Sequence, residues 1–189
     1  MIPPVQNNAW APVVTFPNLF SQQECEDVIG LFPETLEKST VQGTIAQGHI
    51  ETEHFRARVG FLPHTETNDA LYRKIYNITQ QTNNECWNFD LYGMDLLRLA
   101  KYGTGDELGW HLDINTAESS LRKISFVILL SDDHEGGDLE FLIGRNNRSA
   151  KRGIGTVILF PSYVMHRVTP VTKGVRKTLV GWVIGPPYR

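Results

Sequence analysis

From Trp87 onward the chain is a succession of short apolar segments, WNFDLYG, MDLLRLAKY, RKISFVILLS, DLEFLIG, TVILFP, VMHRV and RKTLVGWVI, separated by Gly, Asp, Asn and Pro clusters. Segments of strand length with turn signals between them leave no room for the crossover helices of a βαβ fold, so a β-sandwich or barrel is expected. The near-continuous apolar run from Ile124 to Leu130 marks a central strand of its sheet.

Two helices precede this β unit. Ser21-Gln-Gln-Glu24 is a capping box with Phe20 as its staple, predicting a helix from about Gln22 to Phe32 that stops before Pro33. Leu71, Ile75 and Ile78 recur at helical spacing between about Asn68 and Thr82, with Tyr72 and Tyr76 beside them. Both helices are expected to pack on the outer face of the β unit. Between them lie two extended segments, about 35–46 and 53–62; in the second, Phe55, Ala57, Val59 and Phe61 alternate with His54, Arg56, Arg58 and Gly60. A solvated strand face accounts for the two arginines. Polar stretches at about 41–54 and 144–153 read as loops, and the cluster Arg145, Arg148, Lys151 and Arg152 reads as solvated.

A chain of 189 residues suits one domain, here 1–189, with helix and strand support over about 1–90 and the β core over about 91–185. Net charge is −3 and no basic, aromatic-rich stretch occurs, which argues against nucleic acid as a partner. The two cysteines, Cys25 and Cys86, form neither a disulfide framework nor a metal-binding spacing. No basic start with an apolar run and no span-length apolar stretch is present, so a cytoplasmic location away from membranes is the default expectation.

Chemistry concentrates in YGTGDELGWHLD, where His111 and Asp113 stand two residues apart, the repeat that sends both side chains to one face of a strand. That spacing arises often by chance and needs a third ligand. His166, on a short segment after TVILFP, can supply it. Two histidines and a carboxylate match the facial triad of non-haem iron, with a zinc hydrolase site as the competing reading. Arg176 favours iron: in RKTLVGWVI it shares a strand face with Thr178, Val180 and Trp182, and a guanidinium in the metal's cavity calls for a carboxylate. A dicarboxylic 2-oxo acid, chelating the metal at one end and reaching Arg176 at the other, satisfies both groups.

The segments YGTGDELGWHLD, ISFVILLSDDHEGGDLEF and GTVILFPSYVMHRVTPVTKGVRKTLVGWV resemble the catalytic core of the Fe(II)/2-oxoglutarate dioxygenases, in the prolyl 4-hydroxylase-like branch, over about residues 94–184. The resemblance implies a mainly β fold with flanking helices: a double-stranded β-helix, or jelly-roll, packed against N-terminal helices with the metal inside one open end. It implies His111, Asp113 and His166 as iron ligands and Arg176 as partner of the 2-oxoglutarate C5 carboxylate. Tyr102, Trp182 and Leu139 are then cosubstrate contacts, and Gly136 and Gly137 begin a core strand. Where some relatives carry a tyrosine, Leu129 stands, so Ser125 or Tyr102 would have to replace its hydroxyl.

The activity implied is hydroxylation with Fe(II), 2-oxoglutarate and O2, sustained by ascorbate, 2-oxoglutarate being decarboxylated to succinate and CO2. No residue need act as an acid or base. The resemblance points to a proline in a protein or peptide as substrate, with Arg58 and Arg56 as candidate substrate contacts. A free amino acid or another small molecule is the alternative substrate; a jelly-roll that binds without turnover is the alternative of another class.

Overall fold

A computed structural model describes residues 10–32, 36–38 and 57–188. In chain order it contains β1 (Val14–Phe16), α1 (Gln22–Gly30), β2 (Glu37–Lys38), β3 (Arg58–Leu62), α2 (Asp69–Cys86), β4 (Gly93–Met94), β5 (Leu97–Tyr102), β6 (Leu108–His111) and β7 (Arg122–Leu129). Then come β8 (Glu135–Gly136), β9 (Leu139–Ile143), β10 (Asn146–Ser149), β11 (Val157–Pro161), β12 (His166–Val168), β13 (Val171–Lys173) and β14 (Arg176–Ile184).

The larger sheet has the order β1-β11-β7-β14-β5-β3-β2, with β4 also on β14, and the smaller the order β10-β9-β12-β6. All their pairings are antiparallel. The jelly-roll expectation is met. β7 and β14 lie at the middle of the larger sheet, which is why both strands are largely buried on both faces. One face of β7, carrying Ile124, Phe126 and Ile128, packs with Cys25 and Val28 of α1 and Tyr72 and Ile75 of α2. The other, carrying Val127 and Leu129, meets Leu139, Phe141 and Val168 of the smaller sheet. The site lies in this second layer.

The capping box forms as read: Ser21 Oγ accepts from the Glu24 N–H and the Glu24 carboxylate accepts from the Ser21 N–H. α2 runs a turn past Thr82 to Cys86. The expected strand 87–93 is absent except for Gly93, because Asn83 holds the following chain in a turn, its side chain bonding both the N–H and the carbonyl of Phe89. The stretch 144–153 is not all loop: Asn146–Ser149 pairs with Ile143–Glu140 as an exposed edge strand, which is why its residues are polar. Of the early extended segments, 39–56 lies outside the described residues. No helix among the described residues is long and apolar enough to cross a membrane.

Candidate metal and dicarboxylate site

His111 ends β6 and His166 begins β12, and the two face each other across the ladder with ring centroids 4.1 Å apart. Asp113 lies just beyond β6, held by its backbone N–H on the Ser162 carbonyl. His111 Nε2 is 3.7 Å and His166 Nε2 3.5 Å from the two oxygens of the Asp113 carboxylate. The three ligand atoms lie within 4.8 Å of one another.

Both histidines present Nε2 to this point for a local reason. Each Nδ1 is 2.9 Å from a carbonyl two residues back, Gly109 for His111 and Val164 for His166. A carbonyl only accepts, so Nδ1 carries the proton and Nε2 keeps its lone pair. Burial, helped by neighbouring His166, pushes the His111 imidazole down to about 4, so it is neutral at ordinary pH. Burial pushes the Asp113 carboxyl up, but His166, His111, the Ser125 hydroxyl and the Trp182 side chain together hold it below the usual value. Ser125 Oγ donates to Asp113 Oδ2 at 2.6 Å and pairs with Ser162 Oγ at 3.0 Å. Imidazoles turned to one point through Nε2 and a carboxylate held ionised beside them are what a divalent cation requires, so the donor set fits one.

A narrow slot of about 30 Å³ runs from this point between the sheets, lined by Tyr102, Val127, Leu139, Thr178, Val180 and Arg176 among others. Arg176, opposite Tyr102 in the β14–β5 ladder, is 2% exposed. Its Nη1 donates to Thr178 Oγ1 at 3.3 Å and its guanidinium carbon lies 5.2 Å from the Tyr102 ring centroid, while Nη2 has no hydrogen-bond partner among the described residues. A buried donor without an acceptor marks where an anion fits. Leu139 and Arg176 also wall a wider cavity of about 270 Å³ that includes Leu129, Ala150 and Ile158.

The structure thus brings together His111, Asp113, His166, Arg176, Tyr102, Leu139 and Trp182 around one slot. Trp182 stands at its metal end, where its side chain helps to hold the Asp113 carboxyl below the usual value, not beside Arg176. Ser125 is committed to Asp113, so it does not replace the hydroxyl missing at Leu129. Arg58 is not among the residues that line the slot. Ala57 and Val59 pack into the inter-sheet layer, whereas a side chain at Gly60 would meet Leu36 and Phe32, so Arg58 falls on the opposite, helix-side face and is exposed. Arg56 lies outside the described residues. Sequence reasoning missed Thr178 as the guanidinium's acceptor and Arg98 as a slot residue. The period-2 pattern of LRLAKY, with Arg98 on the face of Tyr102, was the available signal for the latter.

The family model of the 2OG-Fe(II) oxygenase superfamily matches residues 97–184. A PKHD-type hydroxylase of Synechococcus sp. (strain CC9902) is 37% identical over 87 residues, which cover 45% of this chain and 39% of the relative. One of Idiomarina loihiensis is 39% identical over 85 residues, covering 44% of this chain and 39% of the relative. The chain therefore spans about two fifths of the length of these curated relatives. In structure it is similar to a Pseudomonas putida prolyl-4-hydroxylase, with a TM-score of 0.68, 18% identity and 93% of each chain covered. It is likewise similar to the viral collagen prolyl hydroxylase of Paramecium Bursaria Chlorella virus-1 in its 2OG complex, with a TM-score of 0.71, 17% identity, and 93% of this chain and 97% of that one covered.

Proposed function

We propose that this chain is an Fe(II)- and 2-oxoglutarate-dependent hydroxylase acting on a proline in a peptide or protein, a reading supported by the match of residues 97–184 to the family model of the 2OG-Fe(II) oxygenase superfamily. The observation that carries the reading is the pairing of two features at opposite ends of one slot: the His111, Asp113 and His166 cluster and the buried Arg176, whose Nη2 has no partner among the described residues.

His111, Asp113 and His166 would hold the iron. When bound, Fe(II) supplies the activation of O2 that couples decarboxylation of 2-oxoglutarate to insertion of one oxygen atom into a C–H bond. The protein's part is positional. Arg176 takes the far carboxylate of 2-oxoglutarate, its fork steadied by Thr178 and backed by the Tyr102 ring. Leu139, Val127 and Val180 wall the slot with apolar surface and exclude water. Ser125 and Trp182 fix the Asp113 carboxylate, so that one face of the cluster stays free for the substrate. Prolyl specificity is supported by the names of the structural neighbours, both prolyl hydroxylases.

The test is anaerobic mixing of the protein with Fe(II) and 2-oxoglutarate, read by the visible metal-to-ligand charge-transfer band. O2 and proline-containing peptides are then admitted, and succinate and the gain of one oxygen are followed by mass spectrometry. Absence of the band overturns the oxygenase reading. A band with succinate but no peptide oxidation removes the prolyl claim and leaves the class.

A further inference from the structure

Resting on that reading, we propose that Arg176 is a movable anchor: its guanidinium withdraws from Thr178 onto His134 in the cavity behind it, so that the slot accepts the six-carbon 2-oxo diacid, 2-oxoadipate, about as well as 2-oxoglutarate. Among the described residues, Arg176 and Leu139 alone line both the slot of about 30 Å³ and the cavity of about 270 Å³. The guanidinium is thus a partition with a tight space before it and an open one behind. Its stem is held: a Cβ on Gly137 would come within 2.8 Å of Arg176 Cδ, so the turn between β8 and β9 packs against the side chain just short of the fork. The fork itself is held loosely. Its bond to Thr178 Oγ1, at 3.3 Å, is longer than the usual N–H···O range, and the Tyr102 ring centroid is 5.2 Å from the guanidinium carbon.

The cavity offers the fork a second station. His134 lines it, and His134 Nδ1, like Arg176 Nη2, is buried with no hydrogen-bond partner among the described residues. Burial, then the Arg176 and Arg152 cations, holds the His134 imidazole below its usual pKa, so it is neutral at ordinary pH. With the proton on Nε2, its Nδ1 is an acceptor. An unpartnered acceptor and an unpartnered donor on the wall of one cavity are the two halves of a hydrogen bond that the forward position leaves unmade. The neighbouring cation Arg152 is committed elsewhere: its Nε donates to Asp138 Oδ1 at 2.6 Å and its Nη2 to the Gly136 carbonyl at 3.0 Å. The Asp138 carboxylate, also on the cavity wall, acts on the Arg176 charge, so the withdrawn guanidinium keeps an anion near it. One more methylene lengthens a diacid by about 1.3 Å, and the withdrawn fork vacates that length in the slot. Leu139, common to both spaces, meets the added methylene with apolar surface.

The Mn(II) protein, which does not turn over, is titrated by calorimetry with 2-oxoglutarate and with 2-oxoadipate. The two dissociation constants are expected to agree within about fivefold. Ala150→Leu fills the cavity and should weaken 2-oxoadipate by about tenfold or more while changing 2-oxoglutarate by less than about twofold. His134→Phe removes the acceptor and should act in the same way, whereas His134→Asn, which keeps an acceptor close to the Nδ1 position, should retain most of the 2-oxoadipate affinity. Undiminished 2-oxoglutarate binding is the check that each variant is folded. If the parent discriminates against 2-oxoadipate by more than about fivefold, the anchor is fixed and the proposal is wrong, while bound 2-oxoglutarate leaves the oxygenase reading standing. If the variants weaken both acids alike, the cavity does not govern length and the proposal fails. If Ala150→Leu excludes 2-oxoadipate and His134→Phe does not, the acid itself enters the cavity and the withdrawal of Arg176 onto His134 is wrong. If neither acid binds, the oxygenase reading and this inference fall together.

Discussion

A guanidinium enclosed as Arg176 is, with Nη2 lacking a partner among the described residues, costs the fold stability and returns it only when an anion arrives. Burial also pushes its pKa down, a sign of the same desolvation, although the group stays protonated at neutral pH. Arg176→Met keeps the length and the apolar contacts and removes the charge. Unfolding in urea should show it equal to the parent or more stable, by about 1–3 kcal/mol. Its affinity for 2-oxoglutarate by calorimetry should fall on the order of 100-fold, the worth of a bidentate pair. A clear loss of stability would mean that Arg176 is chiefly structural. Ser125 makes the complementary case. Its hydroxyl orients and holds ionised the Asp113 carboxylate, so Ser125→Ala should weaken Mn(II) binding about 10- to 100-fold in chelator competition, with little change in the unfolding midpoint of the metal-free protein. Unaltered Mn(II) affinity would dissociate Ser125 from the metal.

Two elements show how local conformation serves the slot. The turn between β8 and β9 needs glycine twice: Gly136 and Gly137 have φ of +70° and +67°, and a Cβ on Gly137 would come within 2.8 Å of Arg176 Cδ. Gly137→Ala should therefore lower 2-oxoglutarate affinity by displacing Arg176 as well as costing stability by about 1–3 kcal/mol. Gly144→Ala, also at positive φ but with open space around it, should carry only the backbone cost and leave affinity alone. At α1, the Lys74 side chain, then the Ser21 N–H, holds the Glu24 carboxyl below its usual value. A depressed carboxyl contributes stability above its unfolded pKa of about 4.3 that is lost as pH falls through the folded value. Glu24→Gln keeps the capping box but loses the Lys74 pair and the first-turn charge, so it should be less stable than the parent by about 0.5–1 kcal/mol at pH 7, and the gap should narrow near pH 3. A gap independent of pH would assign the effect to helix propensity. Much of this was legible because it is local: the capping box, the strand alternation that sets Arg176 with Thr178, Val180 and Trp182, and the two-residue step from His111 to Asp113 are short-range patterns. What depends on the partner strand was not. The alternation around Arg58 did not say which sheet face it joins until its register against Lys101 was in place, and Ser125 could be assigned to Asp113 only once β7 and the segment after β6 met.

At the scale of the whole molecule, the site is a seam between two sheets. His111 and His166 come from the smaller sheet, with Asp113 just past it, whereas Arg176 and Thr178 come from β14 in the middle of the larger one. A metal joins groups clustered about the smaller sheet, and a dicarboxylate is needed to reach the larger sheet's arginine. Ligands that bind the folded state alone stabilise it by about 2.7 kcal/mol when present at 100 times their dissociation constant. In a chain of this size that raises the melting temperature by roughly 5–10 °C. Mn(II), which does not turn over, should give such a rise by itself, and 2-oxoglutarate should add a second rise only when Mn(II) is present. In Arg176→Met the first increment should survive and the second vanish; in Asp113→Ala both should vanish. If 2-oxoglutarate stabilises the metal-free protein as strongly as the Mn(II) form, the dicarboxylate is held without the His111, Asp113 and His166 cluster, and the two ends of the slot are separate sites.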